Sequence, residues 1–387
     1  MKSILITMSG GTTSVINATL AGLIEQAQKS NQINRVYAGC PGIVGFMERK
    51  VKEFTLSSKK EIKLIASSPG SAIIGTTRTK IFDDKEIDVL NDLFEELEIG
   101  YFVNIGGNGT IKQTRYIASK IHDIKVASAP KTVDNDLGDK NFNDLWYTPG
   151  FPSCVNYWYH KMSMLNNENL GAYTNDKVLV AQTFGRETGF IVGAMRRFDP
   201  LRKLPIILLL PEDQKSLSDV LAKIDNTVSK HGRAIVGICE GYDISPYNYN
   251  LDLTGQRMYG SSNSTAMQQL INACNDNGMQ ARGYNPTVDQ RQNYNYTLKS
   301  DLKISRKIGK KIIKNFDKGK THFFQGYTKN QTYETISLSS IEDYSRSMQN
   351  NWIDWGNFDV TDDYLSYIDG FTKIHKDKEM LYPRRRC

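Results

Sequence analysis

At 387 residues the chain is long enough for two lobes with cores of their own. Its formal net charge of +7 suits anionic small ligands, but the cations are scattered and lack the aromatic interleaving of a nucleic-acid module. No apolar run approaches the roughly 20 residues that span a bilayer. The five cysteines are dispersed without a CxxC or Cys/His cluster, which argues against a zinc site or disulfide framework and fits a reducing cytoplasm.

The first apolar run, residues 4–8, flows straight into a Gly-Gly turn, so it reads as a strand and not as a signal peptide. Ile16, Leu20, Leu23, Ile24 and Ala27 follow at helical spacing. Further short apolar runs occupy residues 101–105, 126–129, 178–181, 206–210 and 234–238. None alternates strictly, the pattern expected of parallel strands covered on both faces. The chain is therefore expected to be α/β, with two doubly wound, Rossmann-like lobes. Thr148-Pro149-Gly150 reads as a crossing point between lobes, and residues 242–259, rich in Tyr, Asn and Asp, as a loop over a cleft. Residues 307–320 place Ile308, Ile312, Ile313 and Phe316 at helical spacing among lysines, giving an amphipathic helix that Gly309 weakens. Arg384, Arg385 and Arg386 read as a tail.

Several of these strand-like runs end in loops suited to phosphate chemistry. Ser9-Gly10-Gly11-Thr12-Thr13-Ser14 lies between the first strand and a helix. Paired glycines there let backbone N–H groups face a ligand at a helix N-terminus. Gly106-Gly107-Asn108-Gly109-Thr110 repeats the arrangement. Neither loop is GxxxxGK[ST] or GxGxxG, so the common nucleotide fingerprints are absent. Pro130-Lys131-Thr132-Val133-Asp134-Asn135-Asp136 places two carboxylates two residues apart, where a proline stops the strand. One can accept a proton from a hydroxyl while the other holds Mg²⁺. Gly75-Thr76-Thr77-Arg78-Thr79-Lys80 offers an arginine fork for phosphate oxygens. Phe184-Gly185-Arg186, Glu240-Gly241, Arg282 and Gln290-Arg291 add polar and charged groups after later strands.

Taken together these segments resemble the phosphofructokinase family, the ATP- or pyrophosphate-dependent enzymes that phosphorylate fructose 6-phosphate. Residues 9–18 are similar to the SGGPTAVINA opening loop of the pyrophosphate-type branch, residues 75–78 to GSSR, and residues 106–110 to GGDGT or GGNDS. Residues 130–136 resemble the PKTIDND signature, the most specific of the set. Residues 148–151 resemble TPGF, residues 184–186 MGR, Pro211-Glu212 the PE turn, and Glu240-Gly241 and Gln290-Arg291 the EG and QR segments. The segments follow family order from Ser9 to Arg291.

Carried over by position, the resemblance implies Asp134 as general base toward the sugar 1-hydroxyl and Thr132 as its support. Gly11, Arg78 and Lys131 would steady the transferring phosphoryl group, with Gly107, Asn108, Gly109 and Thr110 along the donor. Asp136 and Asn108 would hold Mg²⁺. Phe184, Gly185, Arg186 and Glu240 would orient the sugar, and Arg282 and Arg291 would grip its 6-phosphate. Lys177 falls where the family often supplies an arginine across a subunit interface, which implies a homodimer or homotetramer. The implied lobes are residues 1–148 plus 292–345 for the donor and 149–291 plus 346–387 for the sugar phosphate. No nucleic acid or membrane is an expected partner, and a cytoplasmic location is expected.

Departures bear on the substrates. Gly109 stands where pyrophosphate enzymes typically carry Asp, and a glycine would leave space for the ATP α-phosphate. Lys131 is common among pyrophosphate users and occurs in some ATP enzymes. Asn108 replaces the Mg²⁺-binding Asp of many ATP enzymes. Ser14 and Val15 differ from the Pro-Gly of bacterial ATP enzymes. Phe184 in place of Met, and Pro152-Ser153-Cys154 after the GF pair, are expected to line or flank the sugar pocket. The leading expectation is an ATP-dependent, Mg²⁺-requiring sugar-phosphate kinase of the 6-phosphofructokinase type. The alternatives are the pyrophosphate-dependent enzyme, a kinase of the same fold for another sugar phosphate or a nucleoside, and a catalytically silent regulatory subunit binding phosphate ligands.

Overall fold

The computed structural model describes residues 1–70, 73–244, 251, 257, 259, 264–341 and 344–372. The strands are β1 (Lys2–Met8), β2 (Ile33–Gly39), β3 (Val51–Glu53), β4 (Ile99–Gly106), β5 (Lys125–Pro130), β6 (Val178–Thr183), β7 (Ile206–Leu209), β8 (Ala234–Cys239), β9 (Ala281–Tyr284), β10 (Phe323–Gln325), β11 (Thr335–Ser337), β12 (Ile353–Asp354) and β13 (Asp359–Val360).

They form a seven-stranded sheet in the order β11-β10-β5-β4-β1-β2-β3, a four-stranded sheet in the order β7-β8-β6-β9, and the β12-β13 pair. In the large sheet the strands from β10 to β2 are parallel, and only the outermost pairs are antiparallel. The four-stranded sheet is parallel throughout. β1 shows why its run carries no alternation. Leu5 joins one core with Phe94 and Phe102, while Ile4 and Ile6 join another with Leu20 and Ile308. The first of these cores runs without a break through Phe151 and Trp158 to Phe190 and Leu208, so one apolar body links the two sheets. A third core covers the smaller sheet around Val180, Val236 and Leu270.

Each expected strand is present, extended by one to three residues at its ends or, for β7, one residue shorter. The strands β2, β3 and β9 to β13 carried too little apolar signal to read. β2, for instance, mixes Asn34 and Arg35 with its buried residues. The basic amphipathic helix spans Lys299–Asp317, starting earlier than the expected 307. Its first turn holds the buried Asp301, whose carboxylate accepts from the Gly150 and Ser153 amides and from Ser153 Oγ at 2.6 Å. Gly309 costs helix propensity because it permits a close helix crossing. A Cβ there would stand 2.3 Å from the Thr19 carbonyl, and one at Gly22 2.0 Å from the Arg306 carbonyl. Arg384, Arg385, Arg386 and Cys387, and most of residues 242–259, lie outside the described residues. Among the described residues no helix is long and apolar enough to cross a membrane.

Candidate active site

Five parallel strands end on one cavity. The loops after β1, β4, β5, β6 and β8 supply, in turn, Gly10 and Gly11, Gly107 to Thr110, Lys131 to Asp136, Phe184 and Arg186, and Glu240. The space they enclose measures about 420 Å³. Ligand sites at the carboxyl ends of parallel strands follow from the topology, since only there do successive loops converge.

The loop after β5 carries two carboxylates. Pro130 pairs with Gly106 at the end of the ladder, and the Lys131 amide donates to the Gly106 carbonyl at 2.9 Å. Asn135 then takes a left-handed conformation, φ 59°, which its short polar side chain tolerates, and is fully buried. Its side-chain oxygen accepts from the Thr148 amide at 2.9 Å. This sharp turn leaves Asp134 and Asp136 facing the cavity. Asp134 Oδ2 accepts from Thr132 Oγ1 at 3.0 Å. Burial and the neighbouring Asp134 push the Asp136 carboxyl up to about 7.

Asp136 has one direct side-chain partner on the next loop: Asn108 Nδ2 donates to its Oδ2 at 2.9 Å. The Asn108 side-chain oxygen is buried without a hydrogen-bond partner. An unpaired oxygen donor beside a carboxylate suits a hard cation, so Asn108 and Asp136 fit Mg²⁺. Among the described residues no group of three or more His, Cys, Asp or Glu could hold a metal. A cation here would therefore complete its shell with substrate phosphates and water.

Cations line the opposite wall. Lys131 is 3% exposed, and its Nζ donates to the Ser9 and Gly11 carbonyls at 3.1 and 2.5 Å. Burial, then the charges of Arg291 and Lys80, bring its ammonium down to about 7. Arg291 lies so close over the first loop that a Cβ on Gly11 would stand 2.5 Å from its Nη1. A side chain at position 11 would have to push this guanidinium aside. Arg291 Nε is buried without a partner, as expected of a donor kept for an anionic ligand. Arg78 is exposed at the cavity rim.

On the far side, Glu240 is 8% exposed, and burial, followed by the Asp134 charge, pushes its carboxyl up to about 8. It accepts from the Arg186 amide at 3.3 Å. Arg186 sits at φ 56° and Gly185 at φ 130°. The turn is closed by Gly241, where a Cβ would lie 1.8 Å from the Arg186 carbonyl.

Most of the residues singled out from the sequence thus line one cavity: Gly11, Arg78, Gly107, Asn108, Gly109, Thr110, Lys131, Thr132, Asp134, Asp136, Phe184, Arg186, Glu240 and Arg291. Gly185 shapes the turn between its neighbours without lining the space. Lys177 and Arg282 stand apart. Lys177 is an exposed residue before β6, at the end away from the cavity. The exposed Arg282 on β9 pairs with Glu168 at 2.7 Å and Asp176 at 2.6 Å. Pro152, Ser153 and Cys154 are buried in the first turn of the helix Phe151–Ala172 and do not line the cavity, because that turn is drawn to Asp301. Arg257 and Tyr259 do line it, at the end of the Tyr-rich segment.

Sequence reasoning gave no role to Lys80 or to Arg346. Lys80 lines the cavity beneath Gly109, with its Nζ on Ser9 Oγ at 2.5 Å and Thr110 Oγ1 at 3.4 Å. A Cβ at Gly109 would meet Lys80 Cε at 3.3 Å. The space expected to be open at Gly109 is therefore taken up in part by the Lys80 side chain. Arg346 is buried behind the carboxylate loop and hydrogen-bonds to Asn135. The lysine was visible two residues past Arg78; nothing local marks the arginine.

A family model described as Phosphofructokinase matches residues 3–294. Over 94% of its length the chain is 25% identical to 93% of the pyrophosphate–fructose 6-phosphate 1-phosphotransferase of Rhodospirillum rubrum. It is also 25% identical to an ATP-dependent 6-phosphofructokinase of Persephonella marina, over 62% of this chain and 69% of that one. The crystal structure of a pyrophosphate-dependent phosphofructokinase from Nitrosospira multiformis superposes with a TM-score of 0.82, at 25% identity, covering 96% of this chain and 92% of its own.

Proposed function

The chain belongs to the phosphofructokinase family, and we propose that it moves a phosphoryl group from pyrophosphate to the 1-hydroxyl of fructose 6-phosphate, with Asp134 as general base. The observation that carries the donor assignment is Lys80 beneath Gly109. The expectation of ATP rested on room where a side chain at position 109 would stand. With Lys80 there, the donor wall carries the side chains of Lys80, Lys131, Arg78 and Arg291. Such a wall suits a compact donor with charge at both ends more than a nucleotide, whose α-phosphate carries less charge and a bulky substituent. The pyrophosphate enzymes among the relatives support the same reading.

In this reading Asp134 takes the proton of the 1-hydroxyl as its oxygen attacks the near phosphorus. Thr132 holds the carboxylate in place through the 3.0 Å hydrogen bond to Oδ2. Glu240 and Arg186 orient the sugar. Arg291, with its unpaired Nε, takes a phosphate oxygen. Asp136 and Asn108 would hold Mg²⁺, which supplies charge neutralisation at the phosphate oxygens. Lys80 and Lys131 stay with the donor, so the leaving phosphate departs against fixed positive charge without protein reorganisation. The division into a donor lobe and a sugar-phosphate lobe, and the entry of Lys177 into a neighbouring subunit's site, belong to the same proposal. Lys177 is exposed, as that role requires.

A second reading keeps ATP as donor, on the observation that Gly109 still lacks the side chain that would crowd a nucleotide. Measuring kcat/KM for pyrophosphate and ATP on the purified chain, with fructose 6-phosphate as acceptor, separates the two. A clear preference for ATP would overturn the donor assignment and leave the Asp134 chemistry standing.

A further inference from the structure

A second cavity, a groove of about 790 Å³, lies between the helices Ile16–Ala27, Lys59–Ser67 and Lys299–Asp317. Ala18, Ala66, Leu302 and the methylene stems of its lysines make its lining apolar. Its charged groups are seven cations against one carboxylate, Glu25. That local surplus of six compares with +7 for the whole chain, so most of the protein's net charge stands along this groove.

Glu25 does not neutralise it. Arg306 and Lys310 hold that carboxylate at 2.6 and 2.7 Å. Burial acts to raise the Glu25 carboxyl, and these two partners together outweigh it, holding it at about 2. Among the described residues, Lys63, Lys303, Lys307, Lys311 and Lys314 have no carboxylate within ion-pair distance. Lys307 and Lys311 rest instead over the Tyr333 ring, at 4.9 and 5.7 Å from its centre. Lys303, Lys307, Lys311 and Lys314 recur at helical spacing along one face, over a length of about 17 Å, or three helical turns. The helix that forms the opposite wall leaves Leu64 66% exposed.

We propose that this groove is the docking site for an acidic amphipathic helix of a partner protein, about three turns long. A row of apolar side chains would seat on Ala66, Leu302 and the lysine stems, with carboxylates reaching the lysines on either side. The distribution of charge selects this occupant. A free phosphate needs donors converging on one point, and here the ammoniums are spread along a line. A nucleic-acid strand gains from aromatic stacking and polar walls, whereas this lining is apolar and aliphatic. Only a ligand with both an apolar row and flanking carboxylates uses both features.

The test is fluorescence anisotropy on the full chain, with a labelled synthetic helix carrying a leucine row flanked by glutamates. A peptide of identical composition but scrambled order is the control. Binding should weaken at least about tenfold for the scrambled peptide and for the Lys307→Glu/Lys311→Glu variant, and should fall with salt. Phosphotransfer by that variant should equal the parent's, which shows the fold is kept. Equal binding of both peptides, no binding of either, or displacement by RNA or polyphosphate at lower concentration would overturn the proposal. So would light scattering in which the unmodified chain self-associates and the variant does not, since a second copy would then be the occupant.

Discussion

Arg346 grips Asn135 twice. Its Nη2 donates to the Asn135 side-chain oxygen and its Nε to the Asn135 carbonyl, each at 2.9 Å. The Arg346 amide also donates to the Asp136 carbonyl at 2.8 Å. The left-handed turn that separates Asp134 from Asp136 is thus held from behind by a residue that never reaches the cavity. Arg346 itself lies over the Phe142 ring, 4.0 Å from its centre. Replacing it with lysine keeps the charge and loses the fork. Arg346→Lys should cost about 1.5–3 kcal/mol of stability, the range for hydrogen bonds from a charged group. It should lower kcat by about 10–100-fold through misplaced carboxylates, with little change in the KM for sugar phosphate. Thermal unfolding alongside steady-state kinetics checks both. An unchanged kcat would show that the turn holds without the arginine.

Asp134→Asn removes the base and keeps the side chain's shape. The asparagine can still accept from Thr132, so the fold should be unaffected. Turnover should fall by the roughly 10²–10⁴-fold typical of losing a general base. Near-normal turnover would take Asp134 out of the chemistry.

Lys80→Met retains the packing under Gly109 and removes the charge. Use of pyrophosphate, as kcat/KM, should drop by about 10²-fold or more, the scale of losing one charge-stabilising donor. The KM for fructose 6-phosphate should stay within about twofold, because Lys80 faces the donor wall. An equal effect on both substrates would mean that Lys80 supports the loop and does not contact the donor.

Lys131 ties donor binding to pH. Its ammonium is brought down to about 7 in the free protein, so the charged form is lost as pH rises through that value. An anionic donor restores the charge, and binding above pH 7 takes up a proton. The donor KM should therefore rise with pH from about 7 upward, by as much as about tenfold per unit. Lys131→Arg, which stays charged, should flatten that rise. A flat profile in the unmodified chain would show that Lys131 does not titrate in this range.

Much of the fold was legible because its central strands are buried on both faces, and burial leaves a local trace in composition. Residues 4–8, 126–129 and 234–238 carry that trace, and the loops after them could be named as a group. The shortest strands left none: β9, β10 and β11 hold three or four residues each, too few for a period to show. The glycines were legible as turns, but not their reasons. Gly309 looked like a flaw in a helix and proved to be a crossing point, because the Thr19 carbonyl that touches it lies far away in the chain.

By itself the sequence determined which chemical groups stand at the ends of the parallel strands, since each loop follows its own strand directly. It could not decide which groups from separate segments meet. Lys80 reaches Thr110 from 30 residues away, and Arg346 reaches Asn135 across 211. Arg282, expected beside Arg291 at the sugar 6-phosphate, lies outside the cavity and pairs with Glu168 and Asp176 instead. A side chain's neighbours across such separations depend on how the sheets bring their loops together. That arrangement comes from the packing of whole strands and helices, and leaves no periodic signal at the residues it joins.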